Sequence, residues 1–176
     1  MTSAKSLVVR QLQQNDEAAF LEGLTKLQGE DLEWYSFAWK PGMKFSEMLA
    51  VLEKEILGVD LAPGRVPHTM LYGFLDGKII GRVSVRHCLN ENLRKRGGHL
   101  GYWVAAEFRK QGLAKQMVGQ ALEYCKTLKL DSIMISCADD NPPSWKIIEH
   151  FGGKLEDRVW DEVDEETIRR YWVALT

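Results

Sequence analysis

The chain has 176 residues, 45% of them hydrophobic, and a net charge of −2, which suits one domain (1–176) with a sizeable core and argues against a general nucleic-acid binder. No apolar run approaches the roughly 20 residues of a membrane-spanning helix, and the first residues turn polar too early for a signal peptide. Three cysteines without a CxxC pair argue against a disulfide framework or a cysteine zinc site and indicate a reducing, cytoplasmic setting.

The first half of the sequence predicts a strand, two helices and a β-hairpin. These elements are a strand at 7–12, a helix from 15 or 16 to about 27, a helix at 46–57, and strands at 66–75 and 78–87. Asn15 or Asp16 can cap the first helix, and Asp76-Gly77 is a strong signal for a hairpin turn. An irregular aromatic segment, 33–39, separates the two helices.

The second half predicts alternating strands and helices that end in an antiparallel pair. In order these are a basic loop at 90–98, a strand at 99–104, a helix at 113–128, a strand at 132–137, a helix from 142 to 151, and strands at 154–160 and 167–175. Asn141-Pro142 is a strong helix start, and Gly152-Gly153 a strong stop. The order of elements indicates an α+β fold with helices inserted in a mixed sheet.

The turn before the helix at 113–128 is the most informative segment. It reads Arg109-Lys110-Gln111-Gly112-Leu113-Ala114 and joins a strand to a helix. Such a turn leaves backbone N–H groups without intrahelical partners, and these donors and the helix dipole together favour phosphate. Arg109, Lys110 and Lys115 add positive charge. The turn therefore predicts binding of a pyrophosphate-bearing cofactor; the alternative is a plain helix start with a solubilising basic rim.

Two segments resemble one enzyme family. YWVAAEFRKQGLAKQMV, at 102–118, resembles the cofactor-binding motif of the GNAT (Gcn5-related N-acetyltransferase) superfamily, and ISCADDNPPSWKIIEHFGG, at 135–153, resembles the strand and helix that follow it. The likeness covers about 66–175. It implies the GNAT fold, with a central mixed and mostly antiparallel sheet flanked by helices. It also implies acetyl-CoA as co-substrate, without a metal.

The resemblance assigns cofactor-binding positions residue by residue. Backbone groups of Trp103 and Val104 would pair with the pantetheine arm, and Asn141 and Ser144 would lie beside the pantetheine or the thioester. The pyrophosphate would be held by the N–H groups of Arg109, Lys110, Gln111, Gly112, Leu113, Ala114 and Lys115. Gly112 would be required because a side chain there would block close approach of phosphate to the backbone.

The catalytic groups are less well defined by this likeness. Many family members carry a tyrosine seven residues after the asparagine as general acid, but this chain has Ile148, which cannot donate a proton. His87 is a candidate base because imidazole titrates near neutral pH, and Tyr102 is a candidate proton donor. The alternatives are a hydrogen-bonded strand-end histidine and a packed strand aromatic. For His99 the structural alternative is favoured.

Two further segments bear on the acceptor. The aromatic segment at 33–39 either stacks on a cationic amine or closes the core, and the acidic segment at 161–166 either attracts an amine or is solvated. The sequence thus predicts an acetyl-CoA-dependent N-acetyltransferase acting on a small primary amine by direct attack, as a monomer or homodimer. The alternatives are a silent acyl-CoA-binding regulatory or interaction domain and an O-acetyltransferase.

Overall fold

The computed structural model describes residues 6–27 and 29–175, so residues 1–5, 28 and 176 of the predicted domain lie outside the described residues. The strands are β1 (Leu7–Arg10), β2 (His68–Leu75), β3 (Lys78–Arg86), β4 (Leu100–Val104), β5 (Ser132–Ala138), β6 (Lys154–Asp161) and β7 (Glu166–Ala174). The α-helices are α1 (Glu17–Leu24), α2 (Phe45–Leu57), α3 (Glu91–Lys95), α4 (Leu113–Thr127) and α5 (Pro142–His150). Short 3₁₀ turns lie at Gln14–Asp16, Leu32–Trp34 and Ala106–Phe108.

The strands form two antiparallel sheets. The order is β1-β2-β3-β4 in the first sheet and β5-β7-β6 in the second. Every neighbouring pair in both sheets is antiparallel. The predicted α+β fold, with a mostly antiparallel sheet flanked by helices, is confirmed, and the structure divides that sheet into two parts.

The edge strands β4 and β5 meet where the two sheets adjoin. The backbone N–H of His99 donates to the carbonyl of Met134 at 2.7 Å, and Nδ1 of His99 accepts from the N–H of Met134 at 2.9 Å. An isolated bridge joins Gly98 to Ile135. The imidazole therefore replaces a backbone acceptor at the junction of the sheets.

The first sheet separates two hydrophobic clusters. Consecutive residues of β3, Ile79 and Ile80, belong to different clusters, as expected when side chains alternate between the faces of a strand. One cluster contains the apolar stripe of α4, whose helical spacing was visible in the sequence. The other contains Phe20 of α1 and Phe45 and Met48 of α2. Helices thus cover both faces of the first sheet and leave the β4 edge available for a cleft.

Two helices differ from the predictions. Asp16 does not cap α1 through its side chain, because its carboxylate accepts from Arg10 at 2.6 Å, and the helix begins at Glu17. The basic loop predicted at 90–98 contains the short helix α3. Its N-terminus is capped by Asn90, whose Oδ1 accepts from the N–H of Leu93 at 2.9 Å.

Candidate active site

A cavity of about 630 Å³ opens where β4 and β5 adjoin. Its walls come from β3, β4, β5 and β7, the start of α5, the loop at 96–97 between α3 and β4, and the segment after α1. Tyr102, Asn141 and Ser144 of the predicted site residues line it. These three come from distant parts of the sequence and meet because β4 adjoins β5, which leads into α5.

Tyr102 and Ser144 form a hydroxyl pair in this cavity. The phenolic oxygen lies 2.6 Å from Oγ of Ser144, and Oδ1 of Asn141 accepts from the backbone N–H of Ser144 at 3.3 Å. Asn141 is therefore the N-cap of α5, as predicted. Burial raises the pKa of Tyr102 to about 12, so its hydroxyl keeps its proton at neutral pH.

The turn into α4 presents unpaired backbone donors. Within the described chain, the backbone N–H groups at 110–115 donate no hydrogen bond. Lys110 and Gly112 have φ values of +60° and +74°. A Cβ built on Gly112 would have no protein atom within 4 Å. The glycine is therefore favoured by its left-handed conformation, and its open side gives an anion access to the backbone.

Arg109 anchors the same turn through a residue that the sequence reasoning missed. Its Nη2 donates to Oε1 of Glu30 at 2.6 Å, and its Nε donates to the carbonyl of Val104 at 2.8 Å. The indole N–H of Trp103 donates to the other oxygen of Glu30. Arg109 and the Val104 carbonyl thus have partners within the protein, whereas Lys110 and Lys115 are exposed. No local signal marks Glu30, which lies in the segment after α1.

The sequence profile of the acetyltransferase (GNAT) domain matches residues 6–154. The chain belongs to the GNAT acetyltransferase family. No curated protein sequence matches it significantly. The match covers the turn at 109–114 and Asn141, the two features that carried the resemblance.

Solved structures share the GNAT fold at low sequence identity. A chimera of the spermidine N-acetyltransferase SpeG from Vibrio cholerae and hSSAT is 22% identical, with 96% of this chain and 95% of that chain covered and a TM-score of 0.62. The protein yncA from Salmonella typhimurium, solved with its cofactor acetyl-CoA, is 12% identical, with 97% and 94% covered and a TM-score of 0.64. A GNAT-family acetyltransferase from Streptococcus pneumoniae is 16% identical, with 97% and 100% covered and a TM-score of 0.64. At these identities the likeness shows the fold alone.

Two further properties concern the described residues of this GNAT protein. None of their helices is both long enough and apolar enough to cross a bilayer. They also contain no group of three or more His, Cys, Asp or Glu side chains placed to hold a metal ion.

Ile148, which replaces the family's tyrosine, and the candidate base His87 do not line the cavity. Ile148, at the position of the family's tyrosine, is fully buried in the core. His87 lines no part of the cavity: its Nε2 lies 2.9 Å from Oγ1 of Thr69, which is also 2.9 Å from the hydroxyl of Tyr124. Burial and the neighbouring His68 lower the pKa of His87. The structure therefore does not bring His87 to Tyr102, and its role as a base stays a prediction.

The aromatic and acidic segments have divided roles. Trp34 and Phe37 line the cavity, whereas Tyr35 is buried in the core, where its hydroxyl donates to the carbonyl of Phe20 at 2.9 Å. In the acidic segment the carboxylates of Asp161, Asp164 and Glu166 all pair with Arg96. The segment at 33–39 is thus part wall and part core, and Arg96, with its single positive charge, holds three carboxylates of the acidic loop and leaves the loop negative overall.

His99 makes the stability of the fold sensitive to pH. Burial, with Arg94 and Arg86 nearby, lowers its pKa from 6.5 to about 4, and its Nδ1 must be unprotonated to accept from Met134. Because the unfolded chain takes up this proton near pH 6.5 and the folded chain near pH 4, the stabilisation is complete above pH 6.5 and is lost as the pH falls toward 4. We expect the full loss to cost roughly 3 kcal/mol of unfolding free energy, since each pKa unit corresponds to about 1.4 kcal/mol.

Urea unfolding of wild type and His99→Asn at pH 7.5 and 4.5 measures this effect. Asparagine keeps an acceptor oxygen without a titrating group, so its unfolding free energy should depend less on pH. The exposed His150 provides the control, since His150→Asn should retain the wild-type slope. Equal slopes for wild type and His99→Asn would contradict the assignment.

Proposed function

We propose that this GNAT protein is an acetyl-CoA-dependent N-acetyltransferase that transfers an acetyl group to a primary amine of a small acceptor by direct attack. The observation that carries the proposal is the Tyr102–Ser144 hydroxyl pair, which lies in the cavity at the start of α5. Family membership supports acyl transfer as the reaction, and the site residues support the finer assignment.

The residues around the turn into α4 suit acetyl-CoA. The unpaired N–H groups at 110–115 would hold the pyrophosphate, with Lys110 and Lys115 beside it. Asn141 and Ser144 would lie beside the thioester, and backbone groups of Trp103 beside the pantetheine. When bound, acetyl-CoA would supply an acetyl thioester. The amine would form a C–N bond to the acetyl carbon, the C–S bond would break, and coenzyme A would leave as a thiolate.

Tyr102 is the group suited to protonate the departing thiolate. Its hydroxyl is protonated at neutral pH because burial raises its pKa to about 12. Ser144, 2.6 Å away, can hold the phenol in place and pass a proton back to it. Tyr102 would thus replace the acid that Ile148 cannot supply. No histidine of the described chain lines the cavity, so the acceptor amine would lose its proton to water or to a lining carboxylate such as Glu33.

Calorimetry with acetyl-CoA, followed by thiol release across a panel of primary amines, tests the proposal. We expect a saturable binding heat and a raised melting temperature, then thiol release that depends on the amine. Absence of both heat and thermal shift would contradict the cofactor assignment. Binding without thiol release for any amine would instead favour the silent acyl-CoA-binding domain, and release with alcohols alone would favour O-acetylation.

A further inference from the structure

Two arginines on β3, one buried and one partly buried, point to the kind of acceptor. Arg82, Ser84 and Arg86 alternate along the strand and therefore share one face of the first sheet. Arg82 has an exposed fraction of 3%, and both guanidinium groups line the cavity. Arg82 also lies over the ring of Phe37, with 4.6 Å between the guanidinium carbon and the ring centroid.

Neither guanidinium is neutralised by the protein. Arg82 donates to the carbonyls of Trp34 at 2.8 Å and Glu33 at 3.1 Å, and Arg86 donates to the carbonyls of Gly97 and Gly98 at 3.2 and 3.1 Å. Throughout residues 6–27 and 29–175, no carboxylate oxygen lies within 4.0 Å of either side chain's nitrogens. These carbonyl contacts orient the two side chains but supply no negative charge.

Arg96 differs from the two β3 arginines, which have no carboxylate partner among the described residues. Arg96 lines the same cavity but pairs with three carboxylates. Burial lowers the pKa of Arg82 and of Arg86 to about 10, so both remain charged at neutral pH. The inner wall of the cavity therefore carries two positive charges that no described carboxylate contacts directly; Glu33, which also lines the cavity, attracts Arg82 without forming an ion pair with it.

Unused donors accompany these charges. In the described structure Nη1 of Arg82 and Nη2 of Arg86 have no acceptor, and the buried hydroxyl of Ser84 has no partner. Gly101 of β4 covers this place without a side chain: a Cβ there would lie 3.5 Å from Oγ of Ser84 and 3.6 Å from Nη1 of Arg86. A guanidinium group with free donors and no carboxylate partner favours an anion, because charge-assisted hydrogen bonds would form to these donors.

We propose that Arg82 and Arg86 bind an anionic oxygen group, carboxylate or phosphate, on the acceptor, so that the acceptor is an amine that also carries an anion. This inference rests on the proposed function. The exposed carboxylates of Asp31 and Glu33 also line the cavity and would attract the ammonium end. A polyamine has no group to neutralise the arginines and would be repelled by them.

A matched amine series tests the inference. β-Alanine and phosphoethanolamine each carry an anion, propylamine carries none, and putrescine carries a second cation. We expect kcat/KM for the better anionic amine to exceed that for propylamine by about 10- to 100-fold, because charge-assisted hydrogen bonds would be lost. Preference for β-alanine identifies carboxylate as the anion, and preference for phosphoethanolamine identifies phosphate. If propylamine or putrescine reacted as well as both, the inference would be overturned.

Substitutions of the two arginines locate the effect. Arg82→Gln and Arg86→Gln should each lower the ratio of kcat/KM for the preferred anionic amine to that for propylamine by about 10-fold or more. Arg158→Gln, a change of an exposed arginine that pairs with Asp139 on the second sheet, should leave the ratio at its wild-type value. Arg86→Lys keeps the charge and should lower the ratio less than Arg86→Gln. An unchanged ratio in both glutamine variants would contradict the assignment.

Anion binding can be measured without turnover. Calorimetric titration with propionate and with inorganic phosphate should give saturable binding to wild type, weakened about 10-fold or more in Arg86→Gln. Binding of neither anion overturns this inference even if amines are acetylated. Failure of acetyl-CoA to bind, with an anion still bound, overturns the proposed function and leaves the anion site standing.

Discussion

Tyr102→Phe is expected to lower kcat for thiol release about 100-fold while acetyl-CoA still binds. The substitution removes one oxygen from a cavity-lining ring and leaves the packing of β4 intact. The variant lacks the phenolic hydroxyl that lies 2.6 Å from Ser144 and is proposed to protonate the thiolate. The buried Ile148 cannot supply a proton in its place. Steady-state thiol release with a saturating amine measures kcat, and calorimetry measures the affinity.

The pH profile adds an independent check of the same residue. Because burial raises the pKa of Tyr102 to about 12, its proton is retained across the neutral and mildly alkaline range. The wild-type kcat should therefore not decline between pH 7 and 9 through ionisation of this group.

Tyr124→Phe is the matched control. It also removes a phenolic hydroxyl, but one that lies 2.9 Å from Thr69 and does not line the cavity. Its kcat should equal that of wild type. An undiminished kcat in Tyr102→Phe would exclude Tyr102 as the proton donor, whereas an equal loss in both variants would indicate a general packing effect.

Gly112→Val is expected to weaken acetyl-CoA binding about 10- to 100-fold, the equivalent of losing one charge-assisted hydrogen bond. The valine would project into the open space beside the unpaired N–H groups at 110–115, since no protein atom lies within 4 Å of a Cβ there. A φ of +74° also disfavours valine, so stability falls by about 1–2 kcal/mol. Calorimetry at a temperature where the variant is folded gives the affinity.

Gly152→Val is the control that separates loss of stability from loss of acetyl-CoA affinity. Gly152 follows α5, has a φ of +79° and likewise has no atom within 4 Å of a built Cβ. It should lose similar stability but retain wild-type affinity for acetyl-CoA. If Gly112→Val kept that affinity too, the backbone of the turn would not be the pyrophosphate site.

Local signals in the sequence were enough for most elements of the fold. The hairpin of β2 and β3 follows from Asp76-Gly77 between two apolar runs, and α4 from apolar residues at helical spacing. Asn141 was recognised as a helix cap because its type and position before Pro142 are sufficient. The end of α1, at Leu24 instead of about 27, and the presence of α3 were predicted wrongly. In α1 the side chain of Asp16 prefers Arg10 to the helix end.

Some features of the candidate site were also recognisable from local sequence, whereas others depend on tertiary packing. The turn at 109–114 and Asn141 are short segments whose residue types indicate phosphate and helix capping, and the family match bears out the resemblance that they carried. Sequence reasoning also named Tyr102 and Ser144, but separately. Their hydroxyls are brought together across 42 positions of sequence because β4 adjoins β5, which leads into α5.

The sequence by itself determined the α+β class and the GNAT resemblance and predicts phosphate binding by the turn at 109–114, because each depends on neighbours a few residues apart. Tertiary structure alone decided which candidates share a cavity: it brought Tyr102 to Ser144, kept His87 with Thr69, and paired Arg109 with Glu30. It also left Arg82 and Arg86 without carboxylates. Charge balance inside a cavity depends on which side chains are excluded from it as much as on those that line it, and that is set by long-range packing.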